Sequence, residues 1–386
     1  MSDHVLITGG AGFIGSHLAD ALLATGHEVR IFDNLEPQVH GKLGESGTRP
    51  DYLDPEAEFV FGDIRDPEGI SHALEDIDVV FHLAALVGIG QSMYEIARYT
   101  LGNTYGAAAL LQAVVNAKKR PRKLVVASSM SIYGEGSYVC QAHGTVHPKL
   151  RSISQLQRQE WEMLCPVQGC RQQVSPCPTS EEKPLYPTSI YAINKRDHEE
   201  MFMAVGQAYG IPTVALRYFN TYGTRQALSN PYTGVAAIFS NRLINRKSPV
   251  IFEDGWQQRD FVHVSDIAQA NLLVMQDPRA DFGVFNVGSG RAFSIRQVAQ
   301  ALLEHFEKSN PRLDMQTFSP EITQQFRAGD IRHCFSDISR LMSLGYKPRV
   351  TFERGVEELF EWVRSQDSTD HFEAARSELK NRGLAI

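Results

Sequence analysis

Short apolar runs alternate with longer amphipathic segments through the N-terminal half of the chain. Apolar runs bounded by polar turns predict buried strands, and apolar positions recurring at helical spacing predict helices. The predicted strands are residues 5–8, 28–32, 59–61, 79–83, 124–128 and 213–217, and the main predicted helices are residues 13–25, 103–119 and 189–209. Because helices separate successive strands, we expect an α/β fold with a Rossmann-type, doubly wound parallel sheet.

The pattern changes after residue 220, where short strand-like pieces alternate with isolated helices. Residues 249–252 and 316–318 are predicted as strands, and residues 294–307 and 351–365 as helices. We therefore predict a smaller C-terminal α/β lobe that binds the substrate. The predicted domains are residues 1–220, which include a Cys-rich insert at 138–182, and residues 221–386, of which 260–287 return to the first domain.

Composition excludes several classes of function. The 386 residues carry a net charge of -7 and are 42% hydrophobic, a balance typical of globular proteins. An acidic chain offers no basic stripe for a nucleic-acid backbone, so no nucleic-acid partner is expected. No apolar run is long enough to span a bilayer, and no signal-peptide pattern follows Met1, so we expect a cytoplasmic protein without a membrane partner.

A glycine-rich turn joins the first predicted strand to the first predicted helix. Its sequence is TGGAGFIG at residues 8–15. Gly9 permits the tight turn, Gly12 lets the backbone approach a pyrophosphate, and Gly15 allows close packing of the helix on the strand. The helix N-terminus also offers free N–H groups and a partial positive charge to the phosphates. This context predicts a dinucleotide-binding site.

Two acids at strand ends refine the expected cofactor. Asp33 ends the second strand, where a carboxylate accepts hydrogen bonds from the adenosine ribose hydroxyls and repels a 2′-phosphate. No Arg follows closely, so NAD is favoured over NADP. Asp63 ends the third strand, where it either accepts a hydrogen bond from the adenine amino group or caps the following helix.

A Tyr and a Lys lie one helical turn apart in the predicted helix 189–209. Tyr191 and Lys195 share one helix face. A phenol with a pKa near ~10 is a poor base at neutral pH, and a nearby ammonium and a positive nicotinamide both lower that pKa. Ser129 follows the fifth strand at the same sheet edge, where its hydroxyl is placed to relay a substrate proton to Tyr191.

These motifs, taken in order, resemble the extended short-chain dehydrogenases/reductases. The resemblance covers nearly the whole chain except the Cys-rich stretch and the last residues. It rests on the glycine motif, Ser129 before Tyr133 and Gly134, the Tyr191/Lys195 pair, LRYFN at 216–220, QRDFVHV at 258–264 and RAGD at 327–330. It implies a nucleotide-sugar epimerase, dehydratase, decarboxylase or reductase, with a nucleotide-diphosphate sugar as partner.

The resemblance also implies roles for individual residues. Tyr191 is the expected catalytic base, Lys195 lowers its pKa and holds the nicotinamide ribose, and Ser129 is the third catalytic residue. Asn220, Arg225 and Arg259 are expected to bind the sugar diphosphate. The cofactor-binding residues that it implies are Gly9, Gly12, Phe13, Ile14, Gly15, Asp33, Asn34, Asp63, Ile64, Ala84, Tyr191 and Lys195.

The two residues after Ser129 discriminate between reactions. In the resembling 4,6-dehydratases an acid pair follows this hydroxyl, and decarboxylases usually keep a Glu in the second place. Here Met130 and Ser131 occupy these positions, which argues against elimination and, less strongly, against decarboxylation. A 4-epimerase needs only the three catalytic residues and NAD. A reductase drawing on NADPH, a decarboxylase using another acid, and a non-catalytic nucleotide-sugar sensor remain alternatives.

Two further segments narrow the resemblance. Residues 87–95 (VGIGQSMYE) and 226–232 (QALSNPY), together with the insert, are most similar to bacterial proteins of the dTDP-L-rhamnose 4-epimerase type. This implies interconversion of dTDP-L-rhamnose and dTDP-6-deoxy-L-talose, with UDP-glucuronate or UDP-glucose 4-epimerisation as the alternative. By analogy we expect a homodimer in which helices 103–119 and 189–209 pair across a two-fold axis.

The insert carries four of the five cysteines. Cys140, His143, Cys165 and Cys170 flank a predicted helix at 154–163 and could supply four soft ligands to zinc. A knuckle with two residues between its cysteines would need Cys where Gln168 stands, so Cys170 and Cys177 look out of step. We therefore predict no metal and expect a loop with buried, reduced thiols.

Overall fold

The computed structural model describes residues 2–228, 234–327, 329–366 and 370–385. The strands are β1 His4–Thr8, β2 Glu28–Asp33, β3 Glu58–Phe61, β4 Val79–His82, β5 Lys123–Ser129, β6 Ser137–Cys140, β7 Gly144–Val146, β8 Ser175–Cys177, β9 Thr213–Tyr218, β10 Asn220–Tyr222, β11 Val250–Ile251, β12 Gln258–Arg259, β13 Phe261–His263, β14 Val284–Val287, β15 Phe293–Ser294, β16 Glu321–Ile322 and β17 His333–Cys334.

The helices complete the framework. They are α1 Phe13–Ala24, α2 Pro37–His40, α3 Lys42–Ser46, α4 Pro67–Ala73, α5 Ile89–Ser92, α6 Ile96–Thr100, α7 Gly106–Asn116, α8 Ile153–Gln157, α9 Ile190–Tyr209, α10 Val235–Ile244, α11 Val264–Gln276, α12 Ile295–Ser309, α13 Ser339–Met342, α14 Phe352–Ser365 and α15 Phe372–Asn381. A π-helical turn, Leu101–Tyr105, joins α6 to α7. None of the helices in the described ranges has both the length and the apolar composition that crossing a bilayer requires.

Seven parallel strands form the main sheet in the order β14-β9-β5-β4-β1-β2-β3. Successive side chains of a strand enter opposite cores. Leu6 packs in a core with α4, α7 and α9, whereas Val5 and Ile7 pack in a core with α1 and α11. Burial on both faces explains the continuous apolar runs in the sequence, and the predicted Rossmann-type doubly wound sheet is confirmed.

The strand order reverses between β1 and β4, which opens a crevice at their carboxyl ends. The glycine turn follows β1, and Ala84 follows β4 on the other side of the crevice. In open α/β sheets, ligands bind at such a switch point. The fold therefore places the predicted cofactor motif where this architecture binds dinucleotides.

The C-terminal part combines a return to the main sheet with a second core. β14 pairs with β9, and α11 packs beside α1 in the core of the main sheet. α10, α12 and α14 enclose a separate apolar core that includes Phe239, Leu302 and Phe360. The division of the chain into two domains at residue 220 stays a prediction.

Three predicted elements differ from the structure. Residues 316–318 were expected as a strand but lie in a 3-10 turn, Met315–Phe318, because the Asp314 carboxylate accepts from Gln316 N and caps the turn. The helix expected at 154–163 ends at Gln157, since Gln159 has a left-handed φ of 59°. The helix expected at 103–119 ends at Asn116, where Ala117 turns to extended geometry.

Candidate active site

A cavity of about 480 Å³ lies along the carboxyl ends of the main strands. This volume is within the range of small-molecule sites. The predicted residues that line it are Gly9, Gly12, Phe13, Ile14, Gly15, Asp33, Asn34, Asp63, Ile64, Ala84, Ser129, Tyr191, Lys195 and Asn220. Arg225 and Arg259 are not among its described lining residues, and residues 229–232 of the segment 226–232, like Ala328 of the segment 327–330, lie outside the described ranges.

The glycine turn fits a pyrophosphate because side chains have no room in it. Gly9 has a φ of +71°, and a Cβ there would lie 2.6 Å from the backbone N of Ala84. A Cβ on Gly15 would lie 2.4 Å from the carbonyl oxygen of Gly9, so α1 could not approach the turn this closely. Gly12 is the N-cap residue of α1 and leaves the helix N-terminus open to the cavity.

The Asp33 carboxylate is fixed by two backbone donors. Its Oδ2 accepts from Ala11 N at 2.9 Å and its Oδ1 accepts from Leu35 N at 2.8 Å. Burial raises the pKa of Asp33 above its usual value. Each oxygen keeps a further lone pair for a ribose hydroxyl, and a 2′-phosphate would meet a buried carboxylate, so the site fits NAD better than NADP.

Asp63 lines the cavity beside Asn34 and does not cap α4. That cap is Asp66, whose carboxylate accepts from Glu68 N. Hydrogen bonds from Arg65 lower the pKa of Asp63 to about 2, and Asn34 Nδ2 also donates to it at 3.1 Å. The ionised carboxylate still has lone pairs to accept from an adenine amino group, which stays a prediction.

Tyr191 and Ser129 both line the cavity. Ser189 caps α9 by accepting from Ala192 N, and Tyr191 N donates to the Ser92 hydroxyl at 3.1 Å, so the first turn is held in place. Burial raises the pKa of Tyr191 to about 12, while a hydrogen bond from Ser129 lowers it. The pair predicted from the sequence is therefore brought together.

Lys195 is also buried beside this pair, but its ammonium contacts the backbone. Its Nζ donates to the carbonyl oxygen of Ala127 at 2.9 Å. Burial lowers the pKa of Lys195 to about 7. We expected Lys195 to lower the pKa of Tyr191. In this geometry, however, the pKa of the phenol is set by burial and by the hydrogen bond from Ser129. The role of Lys195 therefore stays a prediction for the enzyme with cofactor bound.

Ser131 belongs to the site, although the sequence analysis considered this position only because it carries no acid. Its hydroxyl donates to Ser129 Oγ at 2.9 Å, and its backbone N donates to the same atom at 3.2 Å. Ser129 is thus left to donate to Tyr191, which makes a chain of donors that ends at the phenol oxygen. The serine-rich sequence 128–131 was the signal that could have indicated it.

Asn220 has one unpaired side-chain atom in the cavity wall. Its Oδ1 is buried and has no hydrogen-bond partner among the described residues, while its backbone N donates to Asp260 O at 3.0 Å. A buried unpaired amide end in a native site suggests a ligand as its partner. This observation agrees with the predicted role of Asn220 in substrate binding.

The two predicted arginines are held outside the cavity lining. Arg225 pairs with Asp20 of α1, with 2.7 Å between its Nη1 and the carboxylate. Arg259 donates from Nη2 to Ile331 O at 2.7 Å and from Nη1 to Arg332 O at 3.0 Å. The structure therefore does not bring either guanidinium into the lining, and their binding of a diphosphate stays a prediction.

The insert brings together the four residues whose sequence spacing looked unfavourable. Ligand atoms of Cys140, His143, Cys165 and Cys170 all lie within 4.8 Å of one another. Cys170 reaches the group because Gly169 has a φ of 84° and turns the chain back after Gln168. The expectation that Cys170 is out of step is therefore not met, whereas Cys177 lies in β8 outside the group.

Family models match both halves of the chain. A model described as the NAD-dependent epimerase/dehydratase family matches residues 5–154, and one described as GDP-mannose 4,6-dehydratase matches residues 171–359. The dTDP-L-rhamnose 4-epimerase of Burkholderia thailandensis is 34% identical over 366 residues, which cover 94% of this chain and 95% of that protein. A putative UDP-glucose 4-epimerase of Methanocaldococcus jannaschii is 30% identical and covers 95% of this chain and all of its own length (100%).

Solved structures agree with these matches. The UDP-glucose 4-epimerase of Thermotoga maritima with UDP-glucose aligns with a TM-score of 0.72 and 29% identity, covering 94% of this chain and 98% of that chain. The UDP-glucuronic acid 4-epimerase of Bacillus cereus, solved with UDP-glucuronic acid and NAD, also aligns with a TM-score of 0.72, at 25% identity, covering 94% and 99% of the two chains.

Proposed function

The chain belongs to the NAD-dependent nucleotide-sugar epimerase/dehydratase family of the extended short-chain dehydrogenases/reductases, and from this premise we propose that it interconverts dTDP-L-rhamnose and dTDP-6-deoxy-L-talose by inverting C4. The reaction type rests on the donor chain at Tyr191 and on the absence of an acid at positions 130 and 131. The sugar class rests on the uncharged lining residues that the structure describes next to Asn220, Tyr218 to Tyr222, and on the 34% identical relative.

The cofactor fits the residues of the crevice. Gly9, Gly12 and Gly15 leave room for the pyrophosphate, and Asp33 offers oxygens to the adenosine ribose. Bound NAD would accept the hydride from C4 and return it. Because the hydride is returned, the proposed reaction consumes no cofactor, and an enzyme that retains its NAD needs no added NAD.

Tyr191 and its donors handle the proton on the C4 hydroxyl. A phenol with a pKa of about 12 is protonated at neutral pH, so an added positive charge must lower that pKa before Tyr191 acts as a base. The Lys195 ammonium and the nicotinamide are the expected sources of that charge. Ser129 donates to the same oxygen and stabilises the phenolate, and Ser131 in turn fixes Ser129.

The wall beside Ser129 does not support an elimination. Met130 and Ser131 both line the cavity, and neither side chain can protonate a departing hydroxyl as a carboxylic acid does. Among the described lining residues the carboxylates are Asp33, Glu36 and Asp63, which end β2 or follow β2 or β3 at the proposed adenosine end. Transient oxidation at C4 requires no acid at the sugar end, which favours epimerisation over dehydration or decarboxylation.

The same wall favours a sugar with a methyl group at C5 over one with a carboxylate. Apart from Lys195, the cationic side chains in the described lining are Arg65 and Arg98, which pair with Asp63 and Glu36. His40 also lines the cavity, but burial lowers its pKa, which favours the neutral imidazole. A glucuronate carboxylate needs a cation or several donors when it is buried. Tyr218, Phe219, Tyr222 and Phe261 supply an aromatic surface that suits a 6-deoxy sugar instead.

Turnover of the candidate substrates, measured one at a time, tests this choice. We expect dTDP-L-rhamnose to be inverted at C4 and UDP-glucuronate to remain unchanged when each is incubated with the purified enzyme and followed by NMR. Comparable turnover of both, or activity on UDP-glucose alone, would keep the epimerase and discard the 6-deoxy sugar. Tyr191→Phe is the matched control, because it removes the hydroxyl and leaves the ring.

We further propose a homodimer formed through α9 and the helical segment that contains α6 and α7. Leu101, Tyr105 and Ile193 lie on these packed elements and are 47%, 47% and 42% exposed. Large apolar side chains grouped on one surface indicate a protein partner. Multi-angle light scattering should give twice the chain mass for the wild type and the chain mass for Leu101→Glu, and a monomeric wild type would refute the proposal.

A further inference from the structure

Four metal-binding side chains converge in the insert at residues 138–182, outside the active-site cavity. The Nδ1 atom of His143 lies 3.5 Å from the Sγ atoms of both Cys140 and Cys165. Tetrahedral zinc with bonds of about 2.3 Å to sulfur and about 2.0–2.1 Å to nitrogen sets a sulfur–nitrogen edge of about 3.6 Å. These two sulfur–nitrogen distances therefore already match the edges of a zinc-coordinated group.

The fourth ligand is brought in by backbone turns. Cys140 ends β6, and the turn to β7 carries His143 before Gly144, which has a φ of +66°. Cys165 N donates to Gln172 O at 2.9 Å, so the ends of the second loop are paired, and Cys170 lies inside this loop. Two short hairpin-like turns thus present two ligands each, and all four ligand atoms lie within 4.8 Å of one another.

The insert has too little apolar material to hold this shape alone. Its principal buried cluster consists of Tyr138, Cys140, Val146, Met163, Cys165 and Val174, with Cys170 partly buried against them. Three of these seven residues are the cysteines themselves. Small folded units without a sufficient core are generally stabilised by metals or disulfides, and the described cysteines are all free thiols.

We propose that Cys140, His143, Cys165 and Cys170 bind one structural zinc ion. Three thiolates and one imidazole complete a tetrahedral shell with no open position for water, which is the pattern of structural rather than catalytic zinc. Zinc binding releases the thiol protons and adds its binding free energy to the folding of the insert.

The zinc site would position part of the substrate lobe. Glu162 of the insert accepts from Arg332 Nη2 at 2.5 Å, and Arg151 of the insert pairs with Glu253 at 2.8 Å in a buried contact. The backbone carbonyl of Arg332 in turn accepts from Arg259. Loss of zinc should therefore disturb the position of the Arg259 side chain. Given the predicted binding of the sugar diphosphate by Arg259, this loss should raise KM more than it lowers kcat, a consequence that rests on the proposed function.

Metal analysis tests the site independently of any activity. Protein purified without chelators should contain one zinc per chain by inductively coupled plasma mass spectrometry, and Cys170→Ser should lose most of it. Cys177→Ser is the matched control, since this thiol belongs to the same insert but lies outside the group, and it should keep its zinc. NAD retained by Cys170→Ser would show that the main sheet is still folded.

A second measurement covers the case in which Cys170→Ser does not fold. Wild-type enzyme stripped of metal and loaded with Co²⁺ should develop the visible absorption of tetrahedral cobalt thiolate, and Zn²⁺ should abolish that absorption. Substoichiometric zinc together with no cobalt spectrum would overturn the proposal. So would a disulfide between two of the three cysteines, detected by mass spectrometry after alkylation of free thiols.

Discussion

Replacing Lys195 with Met should stabilise the protein at neutral pH while it abolishes turnover. Lys195 is 4% exposed, and its ammonium has the Ala127 carbonyl as its hydrogen-bond acceptor. Burial lowers the pKa of Lys195 from 10.5 to about 7, and this difference corresponds to about 5 kcal/mol of destabilisation of the charged form. Met fills similar space without a charge and forfeits one hydrogen bond worth about 1 kcal/mol.

The pH dependence of the free energy of unfolding determines in which direction Lys195→Met should differ from the wild type. A base whose folded pKa is lowered destabilises the fold fully below the folded pKa, and that cost disappears as pH rises toward the unfolded pKa. Lys195→Met should therefore be more stable than the wild type by about 2–4 kcal/mol at about pH 6. This difference in the free energy of unfolding should shrink to nearly zero by about pH 10.

Urea unfolding of nucleotide-free protein is the appropriate assay, because bound cofactor would itself increase the free energy of unfolding. Lys118→Met is the control, since Lys118 is exposed and should change stability little at either pH. A Lys195→Met variant that is less stable than wild type at both pH values, or whose advantage does not depend on pH, would refute the account of a buried ammonium that burial destabilises.

Three further substitutions test the site and its support. Gly15→Ala should weaken NAD binding roughly tenfold, because relieving a 2.4 Å backbone contact costs about 1–3 kcal/mol. Calorimetry should find the NAD affinity of the control variant Ser16→Ala unchanged. Ser131→Ala should lower kcat by about tenfold or less without changing NAD affinity, since one hydrogen bond to Ser129 is worth about 1 kcal/mol; an unchanged kcat would remove it from the donor chain. The hydrogen bond to His333 lowers the pKa of Glu162 to about 2. The ionised Glu162 therefore stabilises the fold above pH 4.5, and this stabilisation is lost as the pH falls from 4.5 to about 2. Urea unfolding midpoints of Glu162→Gln should lack this acid dependence, which is worth about 1 kcal/mol at a half-exposed site.

The main sheet and its cofactor turn could be predicted because local patterns decide them. Val5 and Ile7 enter one core and Leu6 the other, so the strand reads as a continuous apolar run. The parallel topology then brings the ends of β1, β2 and β5 to one edge. Ser129 ends β5 at this edge, and Tyr191 reaches it because α9 packs on β5, although the two residues are 62 positions apart in the chain.

The remaining features depend on contacts that no local pattern encodes. Cys170 joins its group through the left-handed turn at Gly169, which the spacing of cysteines does not reveal. Arg259 is held by the carbonyls of Ile331 and Arg332, which belong to a segment more than seventy residues away. The direction of the Lys195 ammonium toward Ala127 likewise follows from the packing of α9 on β5.

Isotope retention at C4 tests the proposed reaction most directly. Purified enzyme without added cofactor should convert dTDP-L-rhamnose that carries deuterium at C4 into the C4 epimer, with the deuterium still at C4 by NMR, and Tyr191→Phe should leave the sugar unchanged. This result is expected because the hydrogen removed from C4 returns to the other face of the same carbon. Loss of the label to solvent, or one equivalent of keto-sugar without the epimer, would contradict the account.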